Sequence, residues 1–89
     1  MRFEYDPAKS AANLDKHGIG FEQAQALWKD PWLIEAPART LDEPRFLSVG
    51  RIDGRHWAAI WTPRHGTVRI ISVRRARPEE VERYEGEGG

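Results

Sequence analysis

RFLSVGRIDGRHWAAIWTPRHGTVRIISVRR, residues 45–75, is the stretch that decides the fold. Asp53-Gly54 lies between two runs rich in β-branched and aromatic residues, and this dipeptide is the strongest short-range signal for a tight type I′ hairpin. Arg64-His65-Gly66 marks a second turn. The stretch therefore predicts three consecutive antiparallel strands over Arg45–Ile52, His56–Thr62 and Val68–Val73.

The two turns also predict the register of these strands. A two-residue turn at Asp53-Gly54 places Trp57 opposite Gly50 and Trp61 opposite Phe46. The same turn length at His65-Gly66 places Trp61 opposite Ile70 and Trp57 opposite Arg74. The face that packs on the helices is then expected to contain Leu47, Val49, Ala58, Ile60, Ile71 and Val73. A three-residue second turn would move every residue of the last strand to the other face.

The opposite face of the predicted sheet combines aromatic and basic side chains. In the same register it contains Phe46, Trp57, Trp61, Ile70, Ser72 and Arg74. Aromatic rings beside arginine on an open sheet form a surface on which unpaired bases stack next to a phosphate contact. The alternative is that the C-terminal helix covers this face and the tryptophans form a second small core. The pattern alone leaves both arrangements open.

The residues before the sheet predict a short strand and two helices. Arg2–Tyr5 has strand character, and Asp6 with Pro7 is a helix start, because Asp caps free N–H groups and Pro fits the first helical position. This helix, Asp6–His17, should end at Gly18, a typical left-handed C-cap. A second helix is predicted over Phe21–Trp28 from an apolar stripe at helical spacing.

The remaining segments complete a single α+β domain. Pro31–Pro37 is predicted as a short edge strand, Ala38–Pro44 as a polar loop, and Pro78 as the start of a final helix ending near Tyr84. The expected architecture is two N-terminal helices packed on a mainly antiparallel sheet with a C-terminal helix, over residues 1–84. Residues 85–89 are expected to form a flexible tail.

Composition excludes several classes of protein. The 89-residue chain has no cysteine, which rules out a disulfide framework and a thiolate metal site. It has no apolar run near the ~20 residues that cross a bilayer. Its N-terminus lacks the apolar segment of a secretory signal, so we expect a cytoplasmic protein without membrane contact.

The formal net charge of zero conceals an asymmetric distribution of charge. Residues 45–77 contain eight arginines and a single acid, Asp53, whereas residues 79–87 contain five glutamates and one arginine. A basic middle with acids placed elsewhere indicates a surface that binds a polyanion, and arginine holds phosphate oxygens bidentately where lysine does not. A solvated sheet that merely favours arginine is the simpler alternative.

The candidate chemistry is that of arginine, lysine and histidine. The three histidines, His17, His56 and His65, show no metal-ligand spacing, and no phosphate-binding glycine loop or serine-hydrolase motif is present. We therefore expect no metal and no cofactor. Arginines that neutralise phosphoryl oxygens, with a histidine or lysine that moves protons, suit phosphodiester cleavage.

Two blocks of sequence carry a family resemblance. Residues 3–9 (FEYDPAK) and 13–24 (NLDKHGIGFEQA) resemble the opening of BrnT toxins, which follows the pattern (W/Y)D-x-x-K…N-x-x-KHG-x-x-F-x-x-A. Residues 43–45 (EPR), Gly50, Gly54-Arg55 and residues 69–76 (RIISVRRA) resemble its second half. The closing helix agrees at Glu80 and Tyr84.

This resemblance implies a fold and a function. It implies a RelE-like toxin that degrades mRNA without metal and is neutralised by a BrnA-type antitoxin with a ribbon-helix-helix domain, through which alone it would meet operator DNA. RNA would be cleaved by attack of its 2′-OH, leaving a 2′,3′-cyclic phosphate. The implied catalytic residues are Arg74, Arg64 and His17, with Arg55 as the alternative to Arg64. The basic residues expected to bind RNA are Arg55, Arg69, Arg75 and Lys16, and the alternative for Arg69 and Arg75 is a place at the core edge or in the antitoxin contact. Trp57 and Trp61 are expected to bind RNA from the sheet pattern described above. The alternative function is a non-catalytic module of the same fold that binds nucleic acid or a protein partner.

Overall fold

The computed structural model describes residues 1–39 and 42–88. In these residues one five-stranded sheet is accompanied by three α-helices, an α+β architecture. The strands are β1 (Arg2–Glu4), β2 (Ile34–Ala38), β3 (Arg45–Ile52), β4 (Arg55–Arg64) and β5 (Thr67–Arg75). The helices are α1 (Pro7–His17), α2 (Phe21–Ala24) and α3 (Pro78–Gly88), and a 3-10 helix, Gln25–Lys29, continues α2.

The sheet is mixed, with the strand order β1-β5-β4-β3-β2. Strands β2 to β5 form an antiparallel meander, and β1 pairs with β5 in parallel. The predicted edge strand exists but begins at Ile34. Part of the predicted loop over residues 38–44, Thr40 and Leu41, lies outside the described residues.

The local signals of α1 and of both hairpin turns act as predicted. Asp6 Oδ1 accepts the Ala8 N–H at 2.8 Å, and Gly18 ends α1 with φ +80°. Asp53 and Gly54 have φ of +50° and +81°, the two positive values that a type I′ turn requires. The register of β3 on β4 is confirmed, with Trp57 opposite Gly50 and Trp61 opposite Phe46.

The predicted register of β5 is wrong beyond Ile70. Trp61 lies opposite Ile70 as predicted, but Ile60 pairs with Ser72, so Ile71 has no partner and forms a β-bulge. The extra residue shifts everything after it, and Trp57 faces Arg75 instead of Arg74. The error therefore arises within the strand and not at the turn, since His65-Gly66 is a two-residue turn.

The predicted faces of the sheet are also wrong. The core against α1, α2 and the 3-10 helix contains Trp57, Trp61, Ile70 and Val73, while Val49 and Ala58 pack with Tyr84 of α3. We call these the N-helix face and the α3 face. The six residues predicted to share a face are thus divided between the two. The residues that cover the N-helix face include the fully buried Phe21, Ala24 and Leu27.

The predicted open aromatic platform does not exist. Trp57 and Trp61 are only 6% and 8% exposed, and Trp61 Nε1 donates to Ser48 Oγ at 2.8 Å. Phe46 stacks on Trp61 at a centroid distance of 5.0 Å. The two tryptophans are core residues. The alternative prediction, in which the tryptophans form a covered core, is nearer to the observed arrangement. The helices that cover them are the N-terminal ones and not the C-terminal helix.

Asn13 joins α1 to β5. Its side-chain Nδ2 donates to the Val73 and Ile19 carbonyls at 2.9 and 2.8 Å, and its Oδ1 accepts the Val73 N–H at 3.2 Å. Strand β1 pairs only with residues 67–69 of β5, so the outer edge of β5 has no strand partner at Val73. The Asn13 amide replaces the missing strand there.

Helix α3 is longer than predicted. It extends past Tyr84 to Gly88, and Glu85, which was expected in the flexible tail, contacts His56. Gly89 lies outside the described residues. The predicted second helix, Phe21–Trp28, is α-helical only to Ala24 and then 3-10 to Lys29, a frequent way for a helix to tighten before it ends.

Candidate active site

Basic side chains from three neighbouring strands meet where α3 crosses the sheet. Arg51 of β3 lies directly opposite His56 of β4. Arg74 of β5 lies on the same face, diagonal to His56. Directly opposed side chains lie roughly 5 Å apart and diagonal ones about 7–8 Å. We call Arg51, His56 and Arg74, together with Glu80 and Glu85 of α3, the α3 junction.

Glu80 holds the Arg74 guanidinium in one orientation. Arg74 donates from Nη1 and Nη2 to the two Glu80 carboxylate oxygens at 2.8 and 2.9 Å, and Nη1 also donates to the Arg75 carbonyl at 3.2 Å. The hydrogen bond to Glu80 raises the pKa of Arg74, and the same bond is the main reason that the pKa of Glu80 lies below its ordinary value. Both charges are therefore retained across the physiological range.

His56 is held by Glu85, the second α3 carboxylate of the junction. Its Nε2 lies 2.7 Å from Glu85 Oε1. The Tyr84 ring packs edge-on against the imidazole, with the two ring centroids 5.3 Å apart. The His56 carbonyl accepts the Ala76 N–H, which ties β4 to the segment that leads into α3. The His56 side chain is 20% exposed, so the ring is oriented but still reaches solvent.

Tyr84 fixes α3 over this site. Its hydroxyl donates to Asp30 Oδ2 at 2.7 Å, and burial, followed by this hydrogen bond, raises the pKa of Tyr84 to about 12. Burial alone would raise the pKa of Asp30. Hydrogen bonds from Tyr84 and from the backbone N–H groups of Arg51 and Trp32 outweigh it, so the pKa of Asp30 lies below its ordinary value.

A second group of predicted residues lies on the N-helix face of the sheet. Arg75 covers the Trp57 ring at 5.4 Å from its centroid, and Arg55 lines a shallow cavity with Trp57 and Gly18. Lys16 is exposed and His17 half-buried in the last turn of α1, just before Gly18. These residues lie at the same end of the sheet as the α3 junction but on its other side.

Arg64 and Arg69 lie toward the far end of the strands. Arg64 is nine residues from Arg55 along β4, a separation of about 30 Å at the rise of a β-strand. Arg64 lies 3.9 Å from a Glu43 carboxylate oxygen, and Arg69 pairs with Glu4 at 3.0 Å. The structure therefore does not bring together the predicted trio of Arg74, Arg64 and His17.

A comparison with protein-family models assigns the chain. Residues 5–80 of the 89 match the model described as ribonuclease toxin, BrnT, of type II toxin–antitoxin system. The chain belongs to the BrnT family. It is accordingly a ribonuclease toxin of a type II toxin–antitoxin system, a class that has an RNA substrate and an antitoxin partner. No curated protein matches the chain.

The matched region of this BrnT chain contains most of the α3 junction. Arg51, His56, Arg74 and Glu80 fall within residues 5–80, and Glu85 follows them. Across the described residues, no helix is long and apolar enough to span a bilayer. No cluster of three or more His, Cys, Asp or Glu side chains suited to a metal occurs among the residues that the structure describes.

Of the five residues of the α3 junction of this BrnT toxin, sequence reasoning predicted only Arg74 as a site residue and missed Arg51, His56, Glu80 and Glu85. A usable signal existed for His56, because the Asp53-Gly54 turn alone places it opposite Arg51, two basic side chains facing each other across neighbouring strands. No comparable signal existed for the two glutamates. Their position depends on how α3 crosses the sheet.

Proposed function

We propose that this BrnT-family chain is a metal-independent endoribonuclease that cleaves mRNA in the cytoplasm and so inhibits translation, with Arg74 as the residue that stabilises the transition state. The observation that carries the proposal is the Arg74 guanidinium held rigidly by Glu80 beside His56. A RelE-like fold, which the resemblance implies, is consistent with helices packed on an antiparallel meander.

The reaction proposed is attack by a ribose 2′-OH on the adjacent phosphodiester. It yields a 2′,3′-cyclic phosphate and a 5′-OH end. Negative charge builds on the non-bridging oxygens as the fifth bond to phosphorus forms, and a fixed guanidinium next to them lowers the barrier because it need not reorganise. The donor set of guanidinium and imidazole groups suits this chemistry without a metal.

The hydrogen bonds to Glu80 leave Arg74 able to bind phosphate. A guanidinium has five N–H groups. Three of those on Arg74 are engaged by Glu80 and the Arg75 carbonyl. The remaining two, on Nε and Nη2, form the other edge of the fork and match two phosphate oxygens. Glu80 thus orients Arg74, and Arg51 adds a second cation across the strands.

The other predicted basic residues are proposed to bind RNA away from the scissile phosphate. Arg64 lies about 20 Å along the strands from the level of Arg74, too far for the same phosphate. Arg64 and Arg69 would hold RNA on one side of the cleavage point, and Lys16, Arg55 and Arg75 would hold it near the rim. We assign no direct contact with RNA to the buried Trp57 and Trp61 rings.

The partner proposed is a ribbon-helix-helix antitoxin of the BrnA type. Its contact segment would contain acids that meet the arginines of residues 45–77, since electrostatic complementarity speeds association and selects the partner. Operator DNA would be contacted through the antitoxin. The clustered arginines support this proposal, because four of the eight form no salt bridge among the described residues and can meet acids of a partner: Arg51, Arg55, Arg75 and Arg77.

The test is cleavage of a labelled single-stranded RNA by purified wild type, Arg74→Lys, Arg74→Ala and the control Arg39→Ala. Arg74→Lys keeps a cation beside Glu80 but loses the fork, so it should remain folded and cleave about 100- to 1000-fold more slowly. Arg74→Ala should lose at least as much activity. Arg39 is an exposed arginine next to β2, and its removal should leave the rate unchanged.

Several outcomes would contradict the proposal. Cleavage at the wild-type rate by Arg74→Ala removes Arg74 from the mechanism, and the same rate in a folded Arg74→Lys variant contradicts the need for a bidentate fork. Loss of wild-type cleavage in EDTA contradicts the metal-independent reaction. RNA binding without any cleavage by the wild type favours the non-catalytic module of the same fold.

A further inference from the structure

Arg74 alone cannot complete the proposed reaction, because the 2′-OH must lose a proton and the 5′-oxygen must gain one. Arginine does not exchange protons at neutral pH. Histidine is the side chain whose unperturbed pKa suits this task. The following inference rests on the proposed ribonuclease function and concerns which histidine of the three serves it.

Two of the histidines are poorly placed for a phosphate bound by Arg74. His65 occupies a left-handed position, φ +51°, in the exposed β4–β5 turn, at the Arg64 end of the sheet. His17 ends α1, and the residues that follow it, Gly18 and Ile19, lie near Trp57 on the N-helix face, whereas Arg74 projects from the α3 face. Among the described residues, no hydrogen bond or salt bridge joins His17 to the α3 junction.

His56 shares a face and an end of the sheet with Arg74. It is the diagonal neighbour of Arg74 and the direct neighbour of Arg51. Among the described residues Arg51 forms no salt bridge, so its guanidinium is available to an anion. The imidazole and the two guanidinium groups therefore lie at the same end of the α3 face.

Glu85 orients this imidazole. A carboxylate 2.7 Å from Nε2 accepts a hydrogen bond from Nε2–H, which leaves Nδ1 as the unprotonated nitrogen of the neutral ring. The edge-on Tyr84 ring limits rotation about the side chain. The same logic of a carboxylate that fixes the tautomer of a histidine operates in catalytic triads.

We infer that His56 is the proton-transfer residue of the reaction and that Glu85 is its positioning residue. Nδ1 takes the proton of the 2′-OH as the bond from the 2′-oxygen to phosphorus forms. The bond from phosphorus to the 5′-oxygen breaks, its electron pair goes to that oxygen, and water supplies the proton that completes the 5′-OH. The imidazolium then returns its proton to solvent.

The test measures single-turnover RNA cleavage by His56→Ala with and without added imidazole. His56→Ala should be slower than wild type by about 100- to 10,000-fold, the usual contribution of general acid–base catalysis. Imidazole should restore part of the rate in His56→Ala and leave Arg74→Lys unaffected. The control His65→Asn tolerates the left-handed turn and should cleave like wild type.

The positioning role of Glu85 has its own readout. Glu85→Ala should lower kcat while KM for RNA stays unchanged, because the side chain orients the base and does not bind substrate. Glu85→Gln still presents an oxygen to Nε2–H and should retain more activity than Glu85→Ala. Equal activity of the two variants, or a change confined to KM, would overturn the role of Glu85.

The outcomes separate this inference from the proposed function. A wild type that cleaves no RNA contradicts the function itself. If the wild type cleaves and His56→Ala cleaves equally well, or if a folded His56→Ala is inactive and imidazole restores nothing, the role of His56 is overturned. Should His56→Ala fail to fold, His56→Gln, whose amide still reaches Glu85, must lose cleavage at an unchanged melting temperature. Loss of rate in His17→Ala alone would assign the proton transfer to His17.

Discussion

Replacing Asn13 by alanine should cost this toxin much of its stability. The Asn13 amide makes three hydrogen bonds in a buried site, two to the Val73 backbone and one to the Ile19 carbonyl. The alanine side chain makes none of these hydrogen bonds, and it is too small to fill the space that the amide leaves. One donor and two acceptors of the backbone would be left without their partner.

The magnitude follows from the burial of these groups. An unsatisfied buried donor or acceptor costs about 1–3 kcal/mol. Three such groups, with some relief from the second lone pair of each carbonyl, give an expected loss of about 3–5 kcal/mol. A domain of this kind is stable by only about 5–15 kcal/mol in total, so Asn13→Ala should lie close to unfolding. Asn13→Asp keeps Oδ1 but places negative charge beside two carbonyls, and should be no better.

The assay is urea unfolding followed by the fluorescence of the core tryptophans. Leu14→Ala is the matched control, because Leu14 is the next residue of α1 and is 50% exposed, and its free energy of unfolding should change by less than about 0.5 kcal/mol. A loss below about 1 kcal/mol in Asn13→Ala would refute the reasoning. Asn13 belongs to the N-x-x-KHG block, so a toxicity screen would score it like a catalytic residue. The measurement separates the two roles.

Two further predictions concern pH and salt. The pKa of Tyr84 in the folded protein, about 12, lies above its ordinary value of 10.0, so the stability that this difference contributes is present below pH 10 and is lost as the pH rises toward 12. Tyr84→Phe should flatten the fall in the free energy of unfolding over that interval, and an unchanged slope in alkaline urea titrations would contradict the assignment. The association rate of toxin with antitoxin, measured by stopped flow, should fall as ionic strength rises, whereas a rate indifferent to salt would remove charge steering from the proposed interface.

Local signals in the sequence were sufficient for the elements and for part of the register. Asp6, Pro7 and Gly18 set the ends of α1, and Asp53-Gly54 set the β3–β4 pairing, because each acts through the backbone of its immediate neighbours. These local signals do not determine which face of the sheet the N-terminal helices cover. Both faces of β4 are largely apolar, with Trp57, Ala59 and Trp61 on one and Ala58 and Ile60 on the other, so alternation does not reveal which one the N-terminal helices cover.

The β-bulge in β5 limits how much of the candidate site can be predicted from the sequence. Arg74 and Arg75 are consecutive, and the parity of β5 alone decides which of them faces Trp57 and which faces α3. Without the extra residue Ile71, Arg74 would lie beside Trp57 under the N-terminal helices and no guanidinium would reach Glu80. The bulge turns Arg75 onto the indole and Arg74 toward α3, His56 and Arg51. Bulges commonly re-aim a side chain beside a functional site, and nothing in the sequence RIISVRR marks Ile71 as the unpaired residue. The motif therefore indicated Arg74 as a candidate, while its neighbours Glu80 and His56 follow from a backbone irregularity that only the structure reveals.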